Sequence, residues 1–168
     1  DGKSLFLIDS RGRNTGAFIK YDLTTKKQTI IAAHDTAEIE SVISDSDTLE
    51  ILAVEFYTDR GEWKVLDSSI QEDFTIIESL HHGDFDIVSK SNDQQTWIVL
   101  FNQDAGSAVW YSYDRKTKTG TKLFYARPEL SKYKLQPMQP VKFTARDGLE
   151  IHGYITYPEN YQDDKSPL

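Results

Sequence analysis

The stretch NDQQTWIVLFN, residues 92–102, decides the fold, because it joins a polar turn signal to an unbroken apolar run. The same combination occurs twice earlier, as DGKSLFLID at residues 1–9 and as SDTLEILAVEFY at residues 46–57. Such runs, rich in β-branched and aromatic residues and bounded by polar turns, are typical of β-strands. The turn residues that open the three stretches stand 45 and then 46 residues apart, at Gly2, Asp47 and Asp93.

A second marker has nearly the same period, because the segments KYD, VLD and SYD end at Asp22, Asp67 and Asp114. Inside each period the polar turns separate short strands, which we predict from the pattern of apolar residues. The predicted strands are 4–9, 17–22 and 28–33 in the first repeat, 40–44, 49–57, 62–67 and 74–79 in the second, and 85–89, 96–102, 108–114 and 119–126 in the third.

Four antiparallel strands in a period of 40–50 residues are typical of a β-propeller blade. We therefore predict an all-β fold with about three blades, the first of which has three strands and would gain its opening strand from before Asp1. The alternative is a β-sandwich, whose strands also recur at short intervals, but a sandwich does not explain why two markers share one period. Three blades do not close a ring, so we expect the isolated chain to self-associate.

The segment after the third repeat predicts a change of domain. Residues 127–139 contain prolines and one possible helical turn in RPELSKYKL, and we predict no strong helix anywhere in the chain. The stretch VKFTARDGLEIHGYITYP, residues 141–158, then alternates apolar and polar residues on both sides of Asp147–Gly148, which predicts a β-hairpin with a two-residue turn. We assign residues 1–137 to propeller blades and 138–168 to a linker and the opening hairpin of a second domain.

The hairpin resembles a segment of the prolyl oligopeptidase family of serine peptidases, and its acylaminoacyl-peptidase-like and dipeptidyl-peptidase-like members are the most similar. The resemblance lies in ARDGLEIHGYI, residues 145–155, followed by Pro158. In that family a β-propeller precedes an α/β-hydrolase domain, so the resemblance implies that the chain is a fragment ending shortly after the second domain begins. The sequence contains no G-x-S-x-G nucleophile motif.

The function implied by the resemblance is that of a propeller that restricts entry to the active site of a serine peptidase acting on short peptides. Its partners would be a peptide substrate and the hydrolase domain, which would hold the catalytic residues. We expect no hydrolase activity from this chain and an active enzyme in the full-length parent. Two alternatives remain open at this point: a non-enzymatic propeller for protein interaction, and a β-sandwich binding module.

Composition excludes several classes of protein. The 168 residues are 38% hydrophobic and 12% aromatic, which indicates a globular chain rather than a disordered one. A formal net charge of −8 argues against a nucleic-acid role, for which a basic patch would be expected, and no apolar run reaches the ~18 residues of a membrane span. Cysteine is absent, which excludes disulfides and thiol chemistry. The sequence does not assign a compartment.

Several residues are candidates for sites, and none is assigned as catalytic, metal-binding or cofactor-binding. The stretch His81-His82-Gly83-Asp84 could hold a metal, but adjacent histidines in a strand project to opposite faces. His34 and His152 lack serine or aspartate partners at a diagnostic spacing. The remaining candidates are an anion loop at residues 9–16, a cation or amine site at Glu38, Glu40, Asp45 and Asp47, and an aromatic cluster, expected to serve packing, at Trp110, Tyr111 and Tyr113.

Overall fold

The computed structural model describes residues 2–161, and the chain divides into two compact units, Asp1–Ser79 and Leu80–Leu168. Strands dominate, as predicted, with 47% of residues in strands and 11% in helices. Every sheet within residues 2–161 is antiparallel, and each strand pairs only with its neighbours in the sequence. The division into units does not test the predicted domain boundary near residue 137, which stays a prediction.

The first unit contains two three-stranded sheets. One is formed by β1 (Ser4–Asp9), β2 (Ala17–Asp22) and β3 (Gln28–Ala32), and the other by β4 (Glu38–Ser44), β5 (Ile51–Tyr57) and β6 (Gly61–Val65). A short 3₁₀ helix (Ser68–Ile70) and helix α1 (Gln71–Leu80) come next in the chain. The buried core draws on both sheets and on the connection between them, through Phe18, Ala32, Ala37, Val54 and Phe56.

The second unit contains the complete blade. It is a four-stranded meander of β7 (Asp84–Lys90), β8 (Thr96–Asn102), β9 (Val109–Asp114) and β10 (Thr119–Tyr125). A 3₁₀ helix (Pro128–Lys132) interrupts the linker, as its single predicted turn indicated. The linker leads into the two-stranded hairpin of β11 (Gln139–Thr144) and β12 (Glu150–Ile155).

Helix α1 corrects the prediction of a fourth strand at residues 74–79 and of a chain without a strong helix. Asp67 caps the preceding 3₁₀ helix by accepting a hydrogen bond from the backbone N–H of Ser69 at 2.8 Å. The buried residues Ile70, Phe74 and Ile77 then recur at the spacing of one helix face. Phe74 also makes an edge contact with Trp63, their ring centroids 5.5 Å apart. This burial outweighs the β-propensity of the run.

The terminal hairpin is present, but its predicted two-residue turn is wrong. The N–H of Gly148 donates to the carbonyl of Ala145 at 3.0 Å, and the N–H of Ala145 donates to the carbonyl of Leu149 at 2.8 Å. Gly148 has a φ of 88°, whereas Asp147 is not in the left-handed region. The loop is therefore the three-residue type, a β-turn followed by a glycine bulge.

Three hairpin loops share one local structure, which we call the D-x-x-T turn. In each, an aspartate Oδ1 accepts the backbone N–H of a threonine three residues later at 2.8 Å, and the next residue has a positive φ. The turns are Asp22–Thr25–Lys26, Asp45–Thr48–Leu49 and Asp114–Thr117–Lys118. Two of the aspartates that mark the sequence period, Asp22 and Asp114, thus open the same turn, and the third, Asp67, caps a helix instead.

Candidate functional site

The second unit contains a cavity of about 390 Å³, which we call the linker cavity. The loop between β8 and β9 forms one wall, and the linker with its 3₁₀ helix forms another. Its volume is at the lower end of the range for small-molecule sites. The side chains that matter for its chemistry are His81, Gln103, Ser107, Tyr125, Arg127 and Tyr133.

Hydrogen bonds from the loop hold both ends of the linker. The N–H of Arg127 donates to Ser107 Oγ at 2.8 Å, and the N–H of Met138 donates to Asp104 Oδ2 at 2.7 Å. Within the loop, Gln103 Nε2 donates to the carbonyl of Ser107 at 2.7 Å. Ser107 itself is buried. The two walls are therefore fixed to each other by polar contacts at defined positions.

His81 is the half-buried histidine of the cavity wall. Its ring centroid lies 5.7 Å from that of Phe101, 6.0 Å from Tyr111 and 6.4 Å from Tyr125. Its Nδ1 lies 2.9 Å from the carbonyl oxygen of His82, and because a carbonyl only accepts, Nδ1 is the donor. The other ring nitrogen, Nε2, is therefore left for a different partner.

The cavity lining carries positive charge in a chain whose formal net charge is −8. Arg127 is exposed, and its guanidinium makes no ion pair with any residue of the described range 2–161. Lys122 Nζ lies 4.9 Å from the ring centroid of Tyr125, another lining residue. No aspartate or glutamate lines the cavity in the part of the chain that the structure describes.

The histidine pair considered as a metal site does not form one with its neighbours. His81 packs in the aromatic wall, whereas His82 is exposed. Throughout residues 2–161, no three side chains of the metal-ligating types lie close enough to hold an ion. The sequence assigns no metal site here, and it gives no sign of the aromatic packing of His81.

The other two histidines make local contacts. His34 Nδ1 accepts the backbone N–H of Ala37 at 3.0 Å, and its ring lies 5.5 Å from that of Phe56. His152 Nε2 lies 3.1 Å from Glu150 Oε1 on the exposed hairpin. The pKa of Glu150 is lowered, first by its hydrogen bond with Lys142 and also by His152. His34 therefore stabilises a loop, and His152 contributes to a surface charge cluster.

The anion loop at residues 9–16 uses its arginines internally. Arg11 makes a two-pronged ion pair with Asp9, with Nη2 and Oδ2 2.6 Å apart. The hydrogen bonds from Arg11 lower the pKa of Asp9 to about 2. Arg13 Nε donates to the carbonyl of Thr15 at 3.3 Å. Both guanidinium groups therefore stabilise the loop itself.

The four acidic candidates do not converge on one point, and two of them accept hydrogen bonds from backbone N–H groups. Glu38 Oε2 accepts the N–H of Gly16 at 2.8 Å, and Asp45 opens a D-x-x-T turn. Glu40 and Asp47 are exposed. The structure therefore gives these four residues no common ligand position.

The aromatic candidates pack in β9, as the alternation of the strand indicated. Tyr113 is fully buried, Trp110 stacks on Phe124 with 5.1 Å between centroids, and Tyr111 meets the edge of Phe101 at 5.4 Å. These rings belong to the blade rather than to an open ligand cage.

Sequence reasoning missed the linker cavity because its walls come from separate segments. His81, the loop residues Gln103 and Ser107, and Arg127 are distant in the sequence, and only the meander brings them together. The one local signal was Pro128, which fits the first turn of a helix and indicates where the linker bends.

No helix in residues 2–161 is both long and apolar enough to cross a membrane.

The antiparallel sheets define a class of fold, that of the β-propellers. A solved structure from a study of two prolyl endopeptidases matches the chain with a TM-score of 0.61 and 11% identity, over 95% of this chain and 24% of that one. This match establishes the propeller fold and disfavours the β-sandwich.

Sequence comparison identifies the relatives of the chain more narrowly than the structural match does. The chain is 37% identical over 160 residues to dipeptidyl aminopeptidase BIII of Pseudoxanthomonas mexicana, which covers 95% of this chain and 23% of that protein. It is 27% identical over 156 residues to dipeptidyl peptidase family member 6 of Caenorhabditis elegans, covering 92% and 21%. No protein-family model matches. The resemblance to the prolyl oligopeptidase family is confirmed, and the chain spans about a quarter of the length of these relatives.

Proposed function

We propose that the chain is the part of a serine peptidase that restricts substrate entry, and that the parent enzyme hydrolyses short peptides. The chain supplies propeller blades and the hairpin that leads into an α/β-hydrolase domain. That domain carries the nucleophile and its acid–base partners. The propeller excludes large folded proteins and admits peptides short enough to reach the catalytic pocket.

The observation that carries this proposal is the 37% identity to a dipeptidyl aminopeptidase, because it extends over 95% of this chain. It therefore spans both the blades and the hairpin. An accidental match to one strand repeat would not include both regions in the same order. The relative is an aminopeptidase by name, and this supports peptides as the substrates of the parent enzyme.

The exposed face of the hairpin supports a hydrolase domain as its partner. Phe143 lies opposite Ile151, and Val141 lies opposite Gly153, so these residues share one face of the two strands. The Phe143 side chain is 57% exposed within the described chain. A two-stranded hairpin needs a further surface to pack on. We propose that a sheet of the hydrolase domain covers this face and that, without it, the isolated chain self-associates.

The proposal is tested by comparing the full-length parent enzyme with the 168-residue chain. We expect the parent to release nitroaniline from a dipeptidyl-nitroanilide and to be labelled covalently by a fluorophosphonate. The isolated chain should do neither. The substrate-length limit is measured with peptides of increasing length and with a folded protein, and we expect the parent to cleave only the short peptides.

Two results would contradict the proposal in different ways. A parent that neither hydrolyses peptides nor reacts with the fluorophosphonate would favour the non-enzymatic interaction propeller. A parent that cleaves folded proteins as fast as dipeptidyl substrates would retain the peptidase assignment and remove the gating role. Self-association is measured separately by sedimentation of the isolated chain.

A further inference from the structure

We propose that the linker cavity binds a small organic anion, in which a carboxylate or phosphate group is attached to an apolar group. Arg127 is the anion partner, and the apolar group lies against Leu130 and Tyr133. This inference concerns the second unit alone and does not depend on peptidase activity.

The charge of the cavity lining favours an anionic ligand. Arg127 supplies a guanidinium with no ion pair among the described residues, and no carboxylate of residues 2–161 lines the cavity to compete for it. The planar fork of a guanidinium matches the two oxygens of a carboxylate or phosphate. In a chain of net charge −8, this is a local reversal of sign that favours an anion over a cation.

The backbone of Arg127 is held in place at the cavity wall. Its backbone N–H is held by the buried hydroxyl of Ser107 at 2.8 Å, and Pro128 restricts the next backbone angle. The base of the side chain is therefore fixed while its charged end stays exposed. An arginine whose backbone is already fixed loses less conformational freedom when it binds than one on a mobile loop.

The remaining wall selects what is attached to the anion. Leu130, Tyr133 and Tyr125 provide apolar surface, and His81 leaves Nε2 for a further hydrogen bond. A volume of about 390 Å³ accommodates a molecule of the size of a dipeptide, and not a long chain. Mostly apolar lining with a few convergent polar groups is the usual composition of a small-molecule site.

The test uses the 168-residue chain and three probes: N-acetyl-leucyl-phenylalanine, its C-terminal amide, and phenyl phosphate. Binding is measured by calorimetry and by NMR shifts of the Arg127 and Ser107 amides. We expect the peptide acid to bind about tenfold more tightly than the amide, because the amide removes one charge-assisted contact. Phenyl phosphate that binds more tightly than the acid would support the site and identify phosphate esters as its ligands.

Variants separate the two halves of the proposal. Arg127→Gln should abolish the preference for acid over amide, whereas Tyr133→Ala should weaken the acid and the amide equally. Arg146→Gln is the matched control, since Arg146 is an exposed arginine in the loop of the terminal hairpin. Circular dichroism checks that each variant folds. Equal affinity for acid and amide, no saturable binding of any probe, or the same loss in Arg146→Gln would overturn the proposal.

Discussion

The second and third repeats fill the same place in the chain with different elements. After its third strand the second repeat forms helix α1, whereas the third repeat forms β10, the outer strand of its sheet. In each repeat the segment that differs begins at an aspartate that marks the sequence period, Asp67 in the second repeat and Asp114 in the third. The two aspartates accept different hydrogen bonds. Asp114 accepts the backbone N–H of Thr117, three residues later, whereas Asp67 accepts the backbone N–H of Ser69 and caps a helix. The period therefore specifies where a turn occurs, and the next few residues specify which element the turn begins.

The largest expected effect comes from substituting a phenylalanine in each of the two elements that differ, helix α1 and strand β10. Phe74 in α1 is 2% exposed, and Phe124 in β10 is 56% exposed. We expect Phe74→Ala to lower the free energy of unfolding by about 3–5 kcal/mol, the range for a buried aromatic residue. Phe124→Ala should cost about 1 kcal/mol, because the residue is already more than half exposed and an aromatic pair such as its stacking on Trp110 contributes ~0.5–1.5 kcal/mol. Urea unfolding measures both, and similar losses would show that α1 is not part of a core.

The next effect concerns Gly83, directly before β7. A side chain there would collide with the backbone carbonyl of Asn102, and Gly83 has a φ of 107°. We expect Gly83→Ala to cost about 3 kcal/mol, from overpacking and from left-handed strain. Gly148→Ala is the control, since it has a φ of 88° with open space around it. Its cost should be only about 1 kcal/mol, from strain alone, and equal costs in thermal unfolding would contradict the predicted collision.

A smaller effect comes from the D-x-x-T turn of Asp114. The backbone N–H of Thr117 lowers the pKa of Asp114 below its ordinary value. A carboxylate with a depressed folded pKa stabilises the fold above its unfolded pKa of about 3.9, and this contribution is lost as the pH falls through the folded value. Asp114→Ala should therefore lower the Tm by a few degrees at pH 7, and the difference should shrink below about pH 4.

Asp114→Asn serves as the control, because an amide oxygen still accepts the Thr117 N–H but does not titrate in this range. Its Tm at pH 7 should lie close to that of the wild type. If Asn were as harmful as Ala, the charge rather than the hydrogen bond would be the stabilising feature.

The smallest expected effect is a gain. Leu49 follows the D-x-x-T turn of Asp45 with a φ of 61°, and its side chain is 62% exposed. Leu49→Gly should raise the free energy of unfolding by about 0.5 kcal/mol, because relief of left-handed strain exceeds the entropic cost of glycine. Leu49→Ala keeps the strain and should show no gain in chemical denaturation. A stabilised alanine variant would attribute the effect to the exposed leucine instead.

Much of the fold could be predicted because the polar turns set the strand ends. The bounds of β1, β2 and β8 agree with the predicted strands 4–9, 17–22 and 96–102. Helix α1 could not be predicted by the same reasoning, because the β-branched run Thr75-Ile76-Ile77 favours a strand. The spacing of Ile70, Phe74 and Ile77 was present in the sequence, but the decisive term was burial, which depends on the tertiary structure.

The candidate site was less predictable than the fold. The terminal hairpin could be read because its alternation and its glycine turn are local features. The linker cavity instead depends on contacts such as Arg127 with Ser107 and Met138 with Asp104, which join distant parts of the sequence. Neither residue type nor spacing indicated that Arg127 would line the same cavity as His81.

Pairing between strands that are consecutive in the sequence also affects how the chain folds during synthesis. Within residues 2–161, no strand pairs with a strand from a distant part of the sequence. A growing polypeptide can therefore close each hairpin soon after its second strand leaves the ribosome, and hairpins form in about 1–10 μs. Synthesis adds a residue only every ~50–200 ms. Each meander thus has time to form before the next is translated, which keeps the apolar runs of β1, β5 and β8 from accumulating as unpaired segments.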